Sequence, residues 1–563
     1  MSTIVDPRNE DLGPDSSIHG YQIYRVVELA EISAIYYELE HLATGARHVH
    51  ISRNDAENTF GAAFKTVPVD STGVAHILEH TALCGSRRFP VRDPFFSMLK
   101  RSLSTFMNAF TASDWTMYPF STQNKKDFDN LMHVYLDAAF FPNLAELSFK
   151  QEGHRLETEN QAGDETSDPL KLVYKGVVYN EMKGAMSSPD QVMVRSILKA
   201  LYPDTTYSHN SGGDPVFIPT LTYEQLKEFH RRHYHPSNAF FYTYGDLSLS
   251  GHLAVIHETV LKEFERIDPG TEVSSQPRWS TPRKETFYYP FDKKEDLNKK
   301  CQACVAWLTT DVKDTFDVLS LALLERILLG NAASPLRKAL IESELGTALS
   351  DGSGFDADNR DTMFACGLKD VEQSATEKIE AIVFDVLSDL ANNGIDKKLI
   401  ESAIHQIEFH RKEITNTPYP YGIKLLLTFA GSWLHGGDPT KILKLEADLK
   451  RLHSELADGP FFENQIKRYF LNNPHRVLLT LVPDTDIEQN EAKRVKAELS
   501  EIRKQLSELE IDKINKDAET LRRQQETPED VSVLPTLERE DIPPSVTNIK
   551  QTAEDVHLST NLY

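Results

Sequence analysis

The sequence predicts an α+β protein of more than one domain, on three observations. At 563 residues the chain is too long to fold around a single core. Strand-like apolar runs such as residues 239–245 alternate with helix-like stretches such as residues 223–234, which is typical of an α+β domain. A stretch rich in Pro, Ser and Thr at residues 269–283 interrupts this alternation and indicates a linker. We therefore predict a first domain at residues 17–268 and a second at residues 284–485.

The second domain shows the same alternation. Residues 304–312 (CVAWLTTDV) predict a strand, and residues 316–330 (FDVLSLALLERILLG) predict a helix with one apolar face. A helix, a turn and the start of a strand follow at residues 334–355. No zinc-binding motif stands in this part of the chain, so the predicted chemistry belongs to the first domain.

The third segment, residues 486–563, changes character and becomes rich in charge. Val495, Leu499, Ile502, Leu506 and Leu509 recur there at alternating spacings of four and three residues. This heptad stripe predicts a long helix, which we expect to fold back as a hairpin near residues 509–514. The chain then runs through a Pro-containing connector to DVHLSTNLY, which we interpret as the opening strand of a further domain.

The most specific motif is His76-Ile77-Leu78-Glu79-His80. Two histidines four residues apart on a helix project from one face, so both imidazoles can reach one metal ion. Together with one further protein ligand they would leave one position of a tetrahedral zinc ion for water. Glu79 stands beside that position and can act as a general base on the water, which then attacks a carbonyl. The order is that of the inverted zinc-peptidase signature.

The third ligand must come from another element, and its type stays open between a carboxylate and a further imidazole. Glu181 is a strong candidate because it stands in VYKGVVYNEMKG, an apolar run that opens into a helix. A solvated helix carboxylate is the alternative. Glu152 in FKQEGHRLE is either a partner that orients a ligand or solvated charge, and we do not count it among the predicted site residues.

Several long strings agree with one known family. Residues 74–96, 101–131, 174–189 and 233–246 resemble the presequence-protease branch of the pitrilysin-type (M16) zinc metallopeptidases. The agreement keeps the same order over most of residues 20–480. The resemblance implies that His76, His80 and Glu181 ligate one zinc ion per chain and that Glu79 is the general base.

The same resemblance gives a role to residues 104–111, STFMNAFT, a β-prone run. Substrates of the family add to an edge strand of this kind, so main-chain hydrogen bonds carry the affinity. Asn108, Ala109 and Phe110 are the substrate-binding residues that it implies. An ordinary core strand is the alternative, above all for Phe106 and Phe110.

The resemblance also implies two tandem M16-type domains and a helical hairpin that together form half of a clamshell. Family members carry a second half, whose Arg and Tyr side chains help to stabilise the tetrahedral intermediate. We therefore expect this chain to bind zinc, to have weak peptidase activity alone, and to need a second half or a separate second-half chain. We also expect it to self-associate through its inner face, including the apolar side of the hairpin.

Composition excludes other classes of protein. The net charge of −24 argues against nucleic-acid binding, which needs a basic face. No apolar run approaches the 18 or more residues of a membrane span, so we predict no membrane insertion. The four cysteines are few for the length and fit a reducing compartment. Cys301 and Cys304 have no second Cys or His pair at zinc-finger spacing.

The predicted location is a bacterial cytoplasm. The amino-terminal MSTIVDPRNEDLGPD is acidic and shows neither a signal-peptide core nor an Arg-rich transit pattern. The strings NEMKGAMSSP and HYHPSNAFFYTYGD look closer to bacterial members of the family. A mitochondrial or other organelle matrix is the alternative.

Taken together, the sequence predicts a zinc metalloendopeptidase that degrades unstructured, presequence-like peptides. A non-catalytic peptide-binding or assembly subunit of the same fold, inactive without a second half, is the alternative from another class. A metallohydrolase for a non-peptide substrate is a third interpretation, which the edge-strand run disfavours because that run suits an extended peptide.

Overall fold

The computed structural model describes residues 12–159, 171–414, 417–542 and 544. It contains a nine-stranded sheet in the first part of the chain, a six-stranded sheet in the second, and a separate two-stranded ribbon. The strands of the first part are β1 (Ser17–Ile18), β2 (Tyr21–Leu29), β3 (Ala34–His41), β4 (Arg47–Arg53), β5 (Asn58–Lys65), β6 (Ser104–Met107), β7 (Phe110–Thr111), β8 (Trp115–Thr122), β9 (Arg155–Glu159), β10 (Lys171–Lys175) and β11 (Ala239–Gly245). The ribbon is formed by β9 and β10.

Helices of the first part cover one face of its sheet. The helices in this part are α1 (Val74–Ala82), α2 (Pro94–Leu99), α3 (Lys125–Phe140), α4 (Glu146–Glu152), α5 (Val177–Ala185), α6 (Pro189–Leu201), α7 (Tyr223–His233) and α8 (Leu249–Thr259). Helices α1, α3, α7 and α8 contribute buried residues to one core with the apolar side chains of that face. The predicted strand at residues 239–245 is confirmed as β11, and the predicted helix at residues 223–234 is α7.

The second part is built in the same way. Its strands are β12 (Arg283–Pro290), β13 (Cys301–Asp311), β14 (Ala348–Leu349), β15 (Gly354–Asp356), β16 (Asp361–Val371) and β17 (Arg476–Asp484). Its helices are α9 (Thr315–Leu329), α10 (Pro335–Glu342), α11 (Thr376–Asn393), α12 (Lys397–Lys412), α13 (Tyr421–Leu434), α14 (Pro439–Leu443), α15 (Leu445–Asp458) and α16 (Phe461–Ile466). The strand predicted at residues 304–312 corresponds to β13, and the helix predicted at residues 316–330 corresponds to α9.

The two sheets repeat one topology. In the first, β4 runs parallel to β11, which pairs antiparallel with β5, and β5 pairs antiparallel with β8. In the second, β12 runs parallel to β17, which pairs antiparallel with β13, and β13 pairs antiparallel with β16. The mixed α/β architecture predicted from the sequence is therefore present in two similarly wound units.

The two units exchange helices across the predicted boundary. Helix α6, from the first part, packs Met193 and Ile197 against the second sheet, in a cluster with Ala306 and Leu479. Helix α13, from the second part, packs Phe429 and neighbouring apolar residues against the first sheet. Because each unit closes the core of the other, the predicted division at residues 269–283 separates the sheets but not the cores, and it stays a proposal about domains.

The helical hairpin differs from the prediction in two respects. It consists of α17 (Ile487–Gln505) and α18 (Glu508–Glu526), so the chain turns at Leu506 and Ser507 and not near residues 509–514. Ser507 causes the break, since its side chain accepts a hydrogen bond from the Glu510 backbone amide while Glu510 bonds back, which is a capping box. Leu509, predicted in the apolar stripe, is 80% exposed.

The apolar side of the hairpin lies against the first unit and is not open, contrary to the prediction. Leu499 and Ile511 are buried. Tyr174 of β10 donates a hydrogen bond to Glu498 at 2.7 Å, and Lys150 of α4 pairs with Asp517 at 2.7 Å. The predicted strand at DVHLSTNLY lies outside the described residues. Among the helices that the structure describes, none is both long enough and apolar enough to cross a membrane.

Candidate metal centre

The predicted zinc motif forms α1. Gly73 precedes the helix in the left-handed region at φ 71°, where glycine is favoured, and the following residues turn into the helix. Ile77 and Leu78 are fully buried in the core beneath the sheet. His76 and His80 lie on the other side, with their ring centroids 4.9 Å apart and the ring planes 84° to each other. The four-residue spacing therefore brings both imidazoles together, as predicted.

The His76 ring is oriented by a glycine turn. A Cβ at Gly73 would lie 2.7 Å from the Gly213 Cα, so only glycines allow the turn at residues 212–213 to approach α1 this closely. That approach places the Gly212 carbonyl oxygen 3.0 Å from His76 Nδ1. Since a carbonyl only accepts hydrogen bonds, Nδ1 carries the proton, and the Nε2 lone pair of the neutral ring is left for a ligand.

The His80 ring is oriented by a carboxylate. His80 Nδ1 lies 3.1 Å from an oxygen of Glu152, the last residue of α4, which is 9% exposed. Burial alone would lower the pKa of His80, but the hydrogen bond to Glu152 and the charges of Glu79, Glu152 and Glu181 raise it. Burial would likewise raise the pKa of Glu152, and its hydrogen bonds with His80 and Gln151 lower it. Glu152 is thus an ionised partner of a candidate ligand.

Glu181 reaches the site from α5. Gly176 lets this helix start against the end of α4, since a Cβ there would come within 2.0 Å of the Gly153 carbonyl oxygen. The Glu181 side chain is 52% exposed, and its carboxylate lies 3.9 Å from His76 Nε2. One ligand atom each from His76, His80 and Glu181 lies within 4.8 Å of the others. Among the described residues, no other group of three or more His, Cys, Asp or Glu side chains meets this condition.

Glu79 is held by the edge of the sheet. The Thr111 hydroxyl, in β7, donates a hydrogen bond of 2.5 Å to Glu79 Oε2. Thr111 also lies 3.4 Å, oxygen to oxygen, from the Thr116 hydroxyl of β8, which in turn meets the Thr66 hydroxyl at 2.8 Å. A short chain of hydroxyl groups therefore connects the candidate base to the strand on which we predict substrate to lie.

The predicted edge strand is present. Strand β6 is the last strand in the order of the nine-stranded sheet, and β7 continues it along β8. Phe106 is opposite Ser121 and Thr111 is opposite Thr116, so β6 and β7 keep one register across the interval between them. Asn108 is exposed, whereas Ala109 and Phe110 are half-buried. The Asn108 amide donates to the Pro119 carbonyl, which keeps this part of the edge on the sheet.

Sequence reasoning missed three contributors to this site. Thr111 and Gly212 are not among the predicted site residues, and Glu152 was weighed but left out of them. A hydroxyl donor, a backbone carbonyl and a glutamate 72 residues from His80 carry no spacing signal that a single sequence displays. They become recognisable only once the fold brings them to α1.

The donor set fits zinc. Two neutral imidazoles and a carboxylate are ligands that zinc accepts, and three protein ligands are typical of catalytic sites, which keep an open position. Both histidines have their Nδ1 atoms engaged by an oxygen acceptor, the arrangement that orients ligating histidines in proteins. His76, His80 and Glu181 would therefore hold the ion, with Glu79 beside it.

Comparison with known proteins identifies the class. Family models match residues 67–208 (Insulinase, Peptidase family M16), residues 220–407 (Peptidase M16 inactive domain) and residues 481–562 (a domain associated with subfamily C of the M16 peptidases). Solved structures agree in fold. A protease from Helicobacter pylori has a TM-score of 0.59 at 17% identity, covering 78% of this chain and 98% of that one. Pitrilysin has a TM-score of 0.55 at 15% identity, covering 83% of this chain and 46% of that one. The chain belongs to the M16 family of peptidases.

Within the family, the chain falls in the presequence-protease branch. It is 45% identical over 535 residues to the mitochondrial presequence protease of Xenopus tropicalis, covering 95% of this chain and 51% of the relative. The mitochondrial presequence protease of Mus musculus is 42% identical over 533 residues, with coverages of 94% and 51%. Protein HypA of Clostridium perfringens is 39% identical over 549 residues, with coverages of 97% and 55%. The chain spans about half the length of the curated relatives it matches.

Proposed function

We propose that this chain is the metal-binding half of a zinc metalloendopeptidase that degrades unstructured, presequence-like peptides. The observation that carries the proposal is the convergence of His76, His80 and Glu181 within 4.8 Å, on and around the helix that carries Glu79. Similarity to presequence proteases supports the substrate class.

The chain's own residues supply binding, orientation and proton transfer. Zinc at this site would polarise the peptide carbonyl and make a water molecule more acidic. Glu79 would take the proton of that water and later pass it to the leaving amine. The hydrogen bond from Thr111 engages Oε2, so we assign the transferred proton to Oε1. Glu152 and the Gly212 carbonyl keep the His80 and His76 rings oriented.

The edge strand supports a peptide as substrate. An extended peptide that pairs with β6 and β7 would be held by main-chain hydrogen bonds, with Asn108, Ala109 and Phe110 alongside it. Such pairing needs a free, extended segment, so unfolded peptides and not folded proteins are the proposed substrates. Thr111 stands on the same strand and bonds Glu79, so a peptide bound there would pass beside the candidate base.

A partner for this half is part of the proposal. Exposed apolar side chains occur on segments that adjoin the site in sequence or contact: Val69, Phe96, Leu99, Leu103, Val216 and Phe217. Exposed apolar groups of this kind mark surfaces that another molecule or segment covers. We propose that a second half of the kind present in the longer relatives covers them and supplies further groups that stabilise the transition state. Self-association of the isolated chain would use the same surface.

The location also remains a proposal. The mitochondrial names of the vertebrate relatives favour an organelle matrix, the alternative given above. The bacterial relative keeps the bacterial cytoplasm as a prediction. Fractionation of the source cells, with a compartment marker for each fraction, tests this assignment.

The test of the proposed function is hydrolysis of a panel of unfolded peptides, with and without a chelator. We expect the 563-residue chain alone, at a concentration where light scattering shows a monomer, to cleave at least about a hundredfold more slowly than the same chain supplied with a matching second half. Chelator should abolish the cleavage and zinc should restore it. Cleavage that survives the chelator would contradict the metallopeptidase, and equal turnover with and without the second half would contradict the need for a partner.

A further inference from the structure

An aromatic cluster lies beside the edge strand, on the face opposite the metal centre. Side chains alternate between the two faces of a strand, so Phe106 and Phe110 share one face while Thr111 lies on the other. The rings of Phe106 and Phe110 are nearly parallel, with centroids 6.1 Å apart and planes at 28°. Both side chains are half-buried.

The second unit completes this cluster. Tyr419 stands two residues before α13, and its ring meets Phe106 edge to face, with centroids 5.7 Å apart and planes at 82°. Tyr419 is also half-buried. Phe110 packs in part against the core beneath α13, whereas the recorded ring contacts of Phe106 are those with Phe110 and Tyr419. Phe106 thus owes its surroundings to a residue from the other unit.

Helix α13 is fixed against the edge strand at both of its ends. At its amino-terminal end Tyr419 contacts Phe106. At its carboxyl-terminal end His435 Nε2 lies 3.1 Å from a carboxylate oxygen of Asp114, which also accepts a hydrogen bond of 2.7 Å from the Tyr207 hydroxyl. Asp114 follows Thr111 by three residues and is buried, as is His435. The position of Tyr419 relative to the edge strand is therefore set by packing along the whole helix.

We propose that Tyr419, with Phe106 and Phe110, forms an apolar subsite that selects a side chain of the bound peptide at a distance from the bond that is cut. This inference rests on the proposed function. A peptide paired with β6 and β7 would present every second side chain to the face that carries these rings. Aromatic and large aliphatic side chains gain from packing on such rings, and glycine gains nothing.

The subsite lies at a predictable position along the peptide. Phe106 and Thr111 are five residues apart in one register, which corresponds to roughly 16 Å of extended strand. Thr111 bonds the candidate base, so it marks the position of the cleaved bond. The Tyr419 subsite therefore selects a residue about four or five positions from that bond.

Binding of uncleaved peptides tests the inference. The Glu79→Gln chain, which keeps the ligands but is not asked to cut, is titrated by fluorescence anisotropy with two peptides. The peptides differ only in having Phe or Gly at the position about four or five residues from the cleaved bond. We expect the Phe peptide to bind about tenfold more tightly. Adding Tyr419→Ala should reduce the difference to about twofold or less, whereas Tyr419→Phe should preserve it, since the ring remains.

The matched control is Phe409→Ala, which removes an exposed aromatic ring elsewhere in the second unit and should leave the tenfold difference intact. A tenfold difference that persists in Tyr419→Ala would overturn the subsite. Equal weakening of both peptides by Tyr419→Ala would also overturn it, because that result reports a general structural role. Absence of cleavage by the unmodified enzyme would count against the proposed function alone, since this comparison does not require cleavage.

Discussion

Replacing Glu79 by glutamine should lower peptide hydrolysis by about a hundredfold to ten-thousandfold while zinc stays bound. The amide keeps the size of the carboxylate and still accepts the hydrogen bond from Thr111. It cannot take a proton from water at neutral pH, so the base is lost and the three candidate ligands remain. The measurement is the initial rate on an unfolded peptide, with the second half added if the chain requires it, together with zinc content.

The same chemical change at Glu258 is the matched control. Glu258 is exposed on α8 and pairs with Lys262 at 2.8 Å, so Glu258→Gln should leave both rate and zinc content unchanged. A near-native rate in Glu79→Gln would show that Glu79 is not the base. Loss of zinc from the same variant would assign Glu79 a ligand role in place of the proposed one.

Mild acid should destabilise the chain strongly, because histidines are buried in the core of the first unit. His48 and His252 are both buried. Burial, and then the neighbouring His252, lowers the pKa of His48 from 6.5 to about 3. Burial, and then the charge of Lys125, lowers the pKa of His252 from 6.5 to about 4. Below pH 6.5 the unfolded chain therefore binds protons that the folded chain does not, and stability falls as pH falls toward 4.

The expected loss is large relative to the usual stability of a protein. At pH 5 each of these two histidines should cost about 2 kcal/mol, or about 4 kcal/mol together, against a typical total of about 5–15 kcal/mol. Urea unfolding of the chelator-treated chain at pH 7 and pH 5 measures this loss without a contribution from metal release. His252→Phe keeps a ring in contact with Phe128 and should recover about half of the loss.

The same substitution at the exposed His453 serves as the control and should recover nothing. Equal unfolding midpoints at pH 7 and pH 5 would contradict the prediction. So would a His252→Phe chain that loses as much stability as the parent, because the proton would then be bound elsewhere.

Much of the fold could be predicted because its signals are local. The run at residues 239–245 is apolar throughout, and it forms a strand buried along its whole length. His76 and His80 could be paired from sequence because helical spacing alone places them on one face. Placing Glu181 required the resemblance to a family, since nothing in its immediate neighbours distinguishes it from a solvated glutamate.

The rest depends on long-range packing. Glu152 and Thr111 act on the site through contacts with α1 that only the folded chain creates. The exchange of α6 and α13 between the two units could not be read from patterns, because an apolar helix face does not specify which sheet it covers. The break at Ser507 is different: Ser-Glu-Leu-Glu at residues 507–510 is a capping-box pattern, and it could have corrected the predicted hairpin.

Zinc content of the purified chain tests the central claim most directly. The account predicts about one zinc ion per chain by metal analysis after dialysis, since His76, His80 and Glu181 supply three ligands. It predicts a large loss in His80→Ala, which retains only two of them, and no loss in the control His453→Ala, at an exposed position. A chain without zinc, or a His80→Ala chain with as much zinc as its parent, would contradict the account.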